Sequence, residues 1–242
     1  MVRKGIVILA CVIAAGFQLE AKQDFERSYA LITGRHVTIN NVMGDISVSG
    51  YKGETIKVIA KSEGPDSDTI RIVENNFGPR VELFPVSSKF NSSKTKLDFE
   101  VKVPKSEKNV SIELKSGSGK IEATDISGTL IVTSFRGDIK VENIQGNLFA
   151  HSISGNLDAT IKEAQGMRWM KLDSGSGNIK VTAPSNLEGW ISMSTSGTLN
   201  TDFAIDKHQS RYGGKVARGK LGSGTQRIEI SSVFGSVSLL KK

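Results

Sequence analysis

The chain has one cysteine, five prolines and three histidines in 242 residues, and aromatic side chains make up only 6% of it. A single thiol, Cys11, can neither close a disulfide within the chain nor build a cysteine-ligated zinc site. His36, His151 and His208 are scattered, and no Gly-x-Ser-x-Gly sequence marks a nucleophile elbow. A hydrophobic content of 38% with so few rings is sparse for a compact globule and fits a repetitive architecture with a thin core. There is no basic block either. Lys, Arg, Asp and Glu are interspersed, so the formal charge of +7 reads as a solvated surface, and nucleic acid is not an expected partner.

The one long uncharged run, Gly5 to Phe17, is too short to span a bilayer, which takes about 20 apolar residues. With Arg3 and Lys4 before it and Leu19-Glu20-Ala21 after it, it predicts a signal peptide over residues 1–21. The mature chain is then exported, to the periplasm or the cell surface, with no transmembrane segment and no thiol. The alternative is a lipoprotein, with Ile8-Leu9-Ala10 preceding a lipidated Cys11.

What the sequence has in quantity is glycine, and the glycines are periodic. Gly119, Gly128, Gly137, Gly146 and Gly155 follow one another at nine-residue intervals, each with Ile or Leu two residues later. Three apolar slots recur in each unit: Ile121/Ala123/Ile126, Leu130/Val132/Phe135, Ile139/Val141/Ile144 and Leu148/Ala150/Ile153. The first two slots, two residues apart, lie on one side of a strand, and the third is expected to turn inward at the bend. Each unit is thus a half-turn, and two units make a coil of about 18 residues. Looser copies start at Gly166, Gly177, Gly189, Gly197 and Gly235, and earlier ones run over 35–43 and 44–52. The fold class is all-β, a single-stranded β-solenoid of about nine-residue half-turns.

Residues 35–242 form this solenoid domain, and residues 22–34 are expected to be an N-terminal cap. Between 54 and 109 the rhythm gives way to period-2 segments, which predict longer antiparallel strands inserted near the N-terminus. Residues 201–226, with Gly213-Gly214, predict a loop excursion, and the last strand, through Leu239 and Leu240, is expected to close the far end. The repeat glycines Gly44, Gly119, Gly128, Gly137, Gly146, Gly155, Gly177, Gly197 and Gly235 are expected to be structural, at corners that side chains disfavour.

The segments Val42-Met43-Gly44-Asp45-Ile46-Ser47-Val48 and Phe99-Glu100-Val101-Lys102-Val103-Pro104, with the tandem Ser-Gly-x-Ile/Leu units from Ser118 onward, resemble the bacterial extracytoplasmic β-solenoid family catalogued as putative adhesins, a domain of unknown function. The resemblance covers residues 35–242. It implies an exported right-handed β-helix-like fold and a role in adhesion or envelope interactions. It brings no catalytic residues with it.

Few residues form a pattern that carries chemistry. Calcium-binding nonapeptides need a regular Asp, whereas Lys120, Thr129, Asp138, Asn147 and Asn156 follow the glycines here. Gly214 to Leu221 has the glycine and lysine spacing of a phosphate loop, but Leu221 stands where a magnesium-binding hydroxyl is required. No catalytic, cofactor-binding or metal-binding residue is expected, and the chain reads as a non-enzyme that takes no cofactor. Asp138, Asp158 and Asp173 keep open a β-helical carbohydrate-active lyase or hydrolase, and a self-assembling structural β-helix is a further alternative. The leading reading is an envelope or cell-surface interaction module whose partner is an envelope protein or glycan, with self-association also open. Its candidate binding surface is an outward apolar stripe of Ile131, Phe149, Trp169 and Trp190, unless residues 54–109 or 201–226 fold over it.

Overall fold

The computed structural model describes residues 25–88, 94–106, 109–164, 166–211 and 213–242. The signal peptide expected over 1–21, Cys11 with it, and the first residues of the 22–34 cap lie outside the described residues. The first strands are β1 (Phe25–Ala30), β2 (His36–Met43), β3 (Ile46–Tyr51), β4 (Thr55–Glu63), β5 (Arg71–Phe77), β6 (Arg80–Val86) and β7 (Lys96–Pro104). Then come β8 (Ser111–Ser118), β9 (Ile121–Thr124), β10 (Ser127–Arg136), β11 (Ile139–Ser154), β12 (Leu157–Ile161), β13 (Trp169–Ser176) and β14 (Ile179–Ala183). The last are β15 (Gly189–Thr195), β16 (Leu199–Thr201), β17 (Asp206–Gln209), β18 (Lys215–Leu221), β19 (Arg227–Ser232) and β20 (Val237–Lys241).

Alternation of apolar and polar residues puts every second side chain into a narrow space between two sheets. Ile121, Ala123, Leu130, Val132, Ile139 and Val141 are all at most 1% exposed. Coils stack in register, so like sits on like. In one sheet Ile121, Ile139, Leu157, Ile179, Val237 and Leu199 are successive parallel partners. In the other the succession is Leu130, Leu148, Met170, Ile228 and Ile191. The chain is a β-solenoid.

Sheet A runs β1-β4-β7-β3-β9-β11-β12-β14-β20-β16. Sheet B runs β5-β6-β2-β8-β10-β11-β13-β19-β15-β18-β17. The 16-residue β11 serves both sheets and bends at Asn143, whose φ is +56°. Residues 54–109 hold β4 to β7. Of these, β4 runs antiparallel to β7 and β5 antiparallel to β6, whereas β6 and β7 run parallel to β2 and β3 and extend the stack.

The chain end does not close the solenoid, contrary to the expectation for Leu239 and Leu240. β19 lies between β13 and β15, and β20 lies between β14 and β16, so the last coil is wedged inside the stack. The far end is closed instead by β18 and β17, antiparallel strands within the 201–226 excursion. All coils offer the same parallel edge, so the coil next in sequence has no pairing advantage over one that a loop brings back.

The two corners differ. Where sheet B passes into sheet A, the glycines Gly44, Gly119, Gly137, Gly155, Gly177, Gly235 and Gly197 form one column, each against the carbonyl of its neighbour. A Cβ on Gly137 would lie 2.0 Å from the Gly119 oxygen. Ser152, Ser174 and Ser232 turn inward here and donate to the carbonyls of Gly137, Gly155 and Gly177 at 3.4, 3.1 and 2.7 Å. Beside this column Asp138, Asn156 and Asn178 each accept a backbone N–H from the next coil, at 2.8, 3.0 and 2.8 Å. With serine taking the inward place, Phe135 and Ile153 point out, 50% and 48% exposed, which corrects their reading as core.

The opposite corner, from sheet A to sheet B, carries Gly128 and Gly146, with Asp125 and Asn143 at φ +58° and +56°. Here Ile126 and Ile144 fill the third slot and are buried. The length variation between coils falls on this side, in the loops 162–168 and 184–188.

Candidate interaction face

Three surfaces could carry function: the outward faces of the two sheets and the exposed corner. Sheet A presents Glu122, Lys140, Asp158 and Lys180 in register, an alternation of charge in which Lys140 also pairs with Glu142 at 2.9 Å. Such a row is a solvated surface and offers nothing distinctive.

Sheet B is different. One outward row runs from Thr129 to Asn147 and on to Trp169, Arg227, Trp190 and Lys220, on the successive strands β10, β11, β13, β19, β15 and β18. Asn147 links the two halves, its side-chain oxygen accepting the backbone N–H groups of Arg168 at 2.9 Å and Trp169 at 3.3 Å. The next row is Ile131, Phe149, Lys171, Glu229, Ser192 and Arg218.

The expected stripe is therefore split. Ile131 and Phe149 are direct partners, but Phe149 continues to Lys171, and Trp169 stands in the neighbouring row with Trp190. The cause is Gly166, which does not stack on Gly146. It lies in the open 162–168 loop with nothing within 4 Å of a built Cβ, so counting the unit from it misplaces Trp169. Arg227 and Lys220, which complete the row, escaped the sequence reading because the wedged coil brings Arg227 between the tryptophans.

Trp190 is 58% exposed; among the described residues neither those of 54–109 nor those of 201–226 cover it, for β18 extends the sheet beside it. The Lys220 ammonium stands 5.8 Å from its ring centroid. Arg227 donates from two guanidinium nitrogens to one Glu229 oxygen, both at 2.6 Å. Trp190, Ser192, Arg218, Gln226, Arg227 and Glu229 line an open cleft of about 720 Å³.

At the other end of sheet B, Glu113 accepts hydrogen bonds from Thr38 and His36, both at 3.2 Å, and pairs with Lys115 at 2.9 Å. Burial pushes its carboxyl up, but hydrogen bonds from Lys115 and His36 with the Lys115 charge outweigh this and hold it below the usual carboxylate range. A depressed pKa contributes stability that is present above the unfolded value and lost as pH falls through the folded one. The parent should thus lose an increment of thermal stability below about pH 4.5 that Glu113→Gln lacks; melting both across pH 3 to 7 checks this, and parallel curves would refute it.

The three acids singled out for a carbohydrate-active site do not meet. Asp138 serves the corner, Asp158 faces out from sheet A, and Asp173 faces out from sheet B. Asp173 lies between His151, at 3.3 Å, and Ser231, at 2.6 Å. A nucleophilic relay needs the imidazole in the middle, so this order cannot activate the serine. Among the described residues no group of three or more His, Cys, Asp or Glu could hold a metal ion, and no helix is long and apolar enough to cross a membrane. The Gly214 to Leu221 segment is largely the strand β18, without the strand-to-helix setting of a phosphate loop. Sequence reading also missed an apolar corner of Val42, Phe135, Ile153, Val233 and Phe234, all exposed. The recurrent Ser or Asn three residues before the column glycines is the signal that would have found it.

The family model described as Toastrack DUF4097 matches residues 23–240. No curated protein matches the sequence. Among solved structures, the chain is similar to a putative cell adhesion protein from Clostridium sporogenes, at 14% identity and a TM-score of 0.53, over 91% of this chain and 100% of that one. It is also similar to a putative adhesin from Bacteroides fragilis, at 16% identity and a TM-score of 0.38, over 92% of this chain and 98% of that one.

Proposed function

Because the chain belongs to the Toastrack DUF4097 family, we propose that it is a non-catalytic interaction module, exported to the periplasm or cell surface after removal of residues 1–21, that binds an envelope protein or glycan through the outer face of sheet B. The observation that carries this reading is Trp190, left 58% exposed among outward Trp169, Arg227 and Lys220. A large aromatic exposed within a polar rim marks a contact surface, because the same burial that it forgoes in the free protein becomes available on binding. The cell adhesion role named for the Clostridium sporogenes protein of similar fold supports the same class of function. The separation of Asp138, Asp158 and Asp173 favours binding over hydrolysis.

The test is capture from envelope extracts by the parent and by Trp169→Ala/Trp190→Ala. Parent protein recovered from the envelope should begin at Lys22 and retain partners that the double variant loses, with thermal midpoints within a few degrees of each other. Equal capture by both proteins would sink the reading, and a collapse in the variant's stability would mean that the tryptophans are core. Trp190→Phe, which keeps a ring in place, should restore most of the capture.

A further inference from the structure

We propose that the Trp169–Arg227–Trp190–Lys220 row is a binding site for an acidic glycan, whose sugar rings stack on the two indoles while its carboxylate or sulfate groups meet the cations between and beside them. This rests on the reading of sheet B as the binding face and names the ligand's chemistry. Trp169 and Trp190 are both in register with Arg227, one on each side, so two strand spacings separate them, about 9.6 Å. Flat apolar faces at that separation, standing on rigid parallel strands, suit consecutive rings of a linear polymer better than a single small molecule. An indole offers a large electron-rich face and little entropy to lose on contact, the property that a sugar's C–H face requires.

Charge selects the kind of sugar. In the two outward rows over β13, β19, β15 and β18 the charged side chains are Lys171, Arg227, Arg218 and Lys220 against Glu229 alone. Glu229 is held by two nitrogens of Arg227, which orients the guanidinium without neutralising its neighbours. Lys220 stands over the Trp190 ring, so an anionic group that approaches this indole meets an ammonium. Further acids stand around the rim: Asp206, opposite Arg218 on β17, Asp173, two residues beyond Lys171 on β13 and paired with His151, and Glu188, just before β15, which accepts from the Ser223 backbone. Ser192, in the floor between Glu229 and Arg218, supplies a hydroxyl for sugar hydroxyl groups. An open cleft of about 720 Å³ lies over Trp190, Ser192, Arg218, Arg227 and Glu229, with Trp169 in register beyond Arg227. A neutral glycan would leave the surplus cations unused.

The probes are a short oligogalacturonate, its fully methyl-esterified form, heparin as the sulfated polymer, and a single-stranded DNA oligomer of similar charge. Binding to the full-length mature protein is followed by tryptophan fluorescence and calorimetry. The expected result is quenching by oligogalacturonate or heparin, with about tenfold weaker binding of the esterified form and of DNA. Trp190→Ala and Arg218→Ala should each weaken binding about tenfold or more, Trp190→Phe should keep most of it, and Phe135→Ala, at the exposed apolar corner, should leave it unchanged. Failure of both acidic glycans to bind, equal binding by Trp190→Ala, or preference for DNA would overturn the proposal. If envelope capture still depends on the tryptophans while neither glycan binds, the ligand class is wrong and the binding face stands. If capture ignores them as well, both fall together. Thermal melting of each variant separates lost binding from lost fold.

Discussion

Gly137→Val is expected to lower stability by about 3 kcal/mol or more, read as a shift in denaturation midpoint at constant slope. Two costs combine at this position. Its φ of +139° is a backbone conformation that side chains rarely adopt, and its Cβ would stand 2.0 Å from the Gly119 carbonyl oxygen, a backbone atom that cannot step aside without moving the coil below. Alanine variants separate the two. Gly155 lies outside the left-handed region, yet a Cβ there meets the Gly137 oxygen at 2.1 Å, so Gly155→Ala carries only the steric cost. Gly166, at φ +86° with open space around it, carries only the conformational one, about 1 kcal/mol. The expected order of stability is parent, Gly166→Ala, Gly155→Ala, Gly137→Val. A Gly155→Ala protein as stable as the parent would show that the coils can spread at this corner.

Removing residues 227–242 is expected to unfold the far end of the solenoid while leaving its middle intact. The deletion takes away Ile228, Ile230, Val237 and Leu239, each at most 1% exposed, and burial of side chains of this kind stabilises by about 1.5–3 kcal/mol apiece. It also removes the only parallel partners of β15 and β16 among the described residues. The loss rivals the whole stability of an ordinary domain, about 5–15 kcal/mol. Because each coil is held chiefly by its neighbours, damage should stay local. Amide exchange should show β15, β16 and β18 unprotected and β8 to β12 still protected. Protection retained in β15 and β16 would mean that they slide across to pair with β13 and β14, which the identical coil edges permit.

The part of this fold that the sequence displays is the part governed by neighbours in the chain. Glycine at nine-residue intervals and Ile, Leu or Val two residues on are consequences of a corner and a strand, and both are local. Which coil lies beside which is not. β19 pairs with β13 and β15 through Ile228 and Ile230, side chains interchangeable with those of any other coil, so nothing in 227–232 advertises its neighbours. The same degeneracy hid the binding row, since Arg227 reaches Trp169 and Trp190 only through that pairing. Phe135 and Ile153 misled for a different reason. Their spacing from the previous apolar residue fits an inward slot, but Ser134 and Ser152 occupy the interior at that bend, where a small side chain fits and the Ser152 hydroxyl bonds the Gly137 carbonyl. Trp169 was misplaced by a single glycine whose role is to relax a loop and not to turn a corner.

The two corners also divide the molecule into a conservative margin and a permissive one. Along the glycine column almost no residue can be added, since a longer turn would break the carbonyl contacts of the coils on either side. At the opposite margin the connection from β9 to β10 takes two residues, that from β12 to β13 takes seven and that from β14 to β15 takes five. Loops 162–168, 184–188 and 222–226 converge there around a second cleft, lined by Lys162, Glu163, Pro184, Asn186, Glu188 and Gln226, next to the start of the strands that bear Trp169, Arg227 and Trp190. Foreign peptide grafted into 162–168 would border the tryptophan row without disturbing the stack, much as hypervariable loops ride on an antibody framework. A rigid ladder with one editable margin is a scaffold on which recognition can be rewritten while the fold stays fixed.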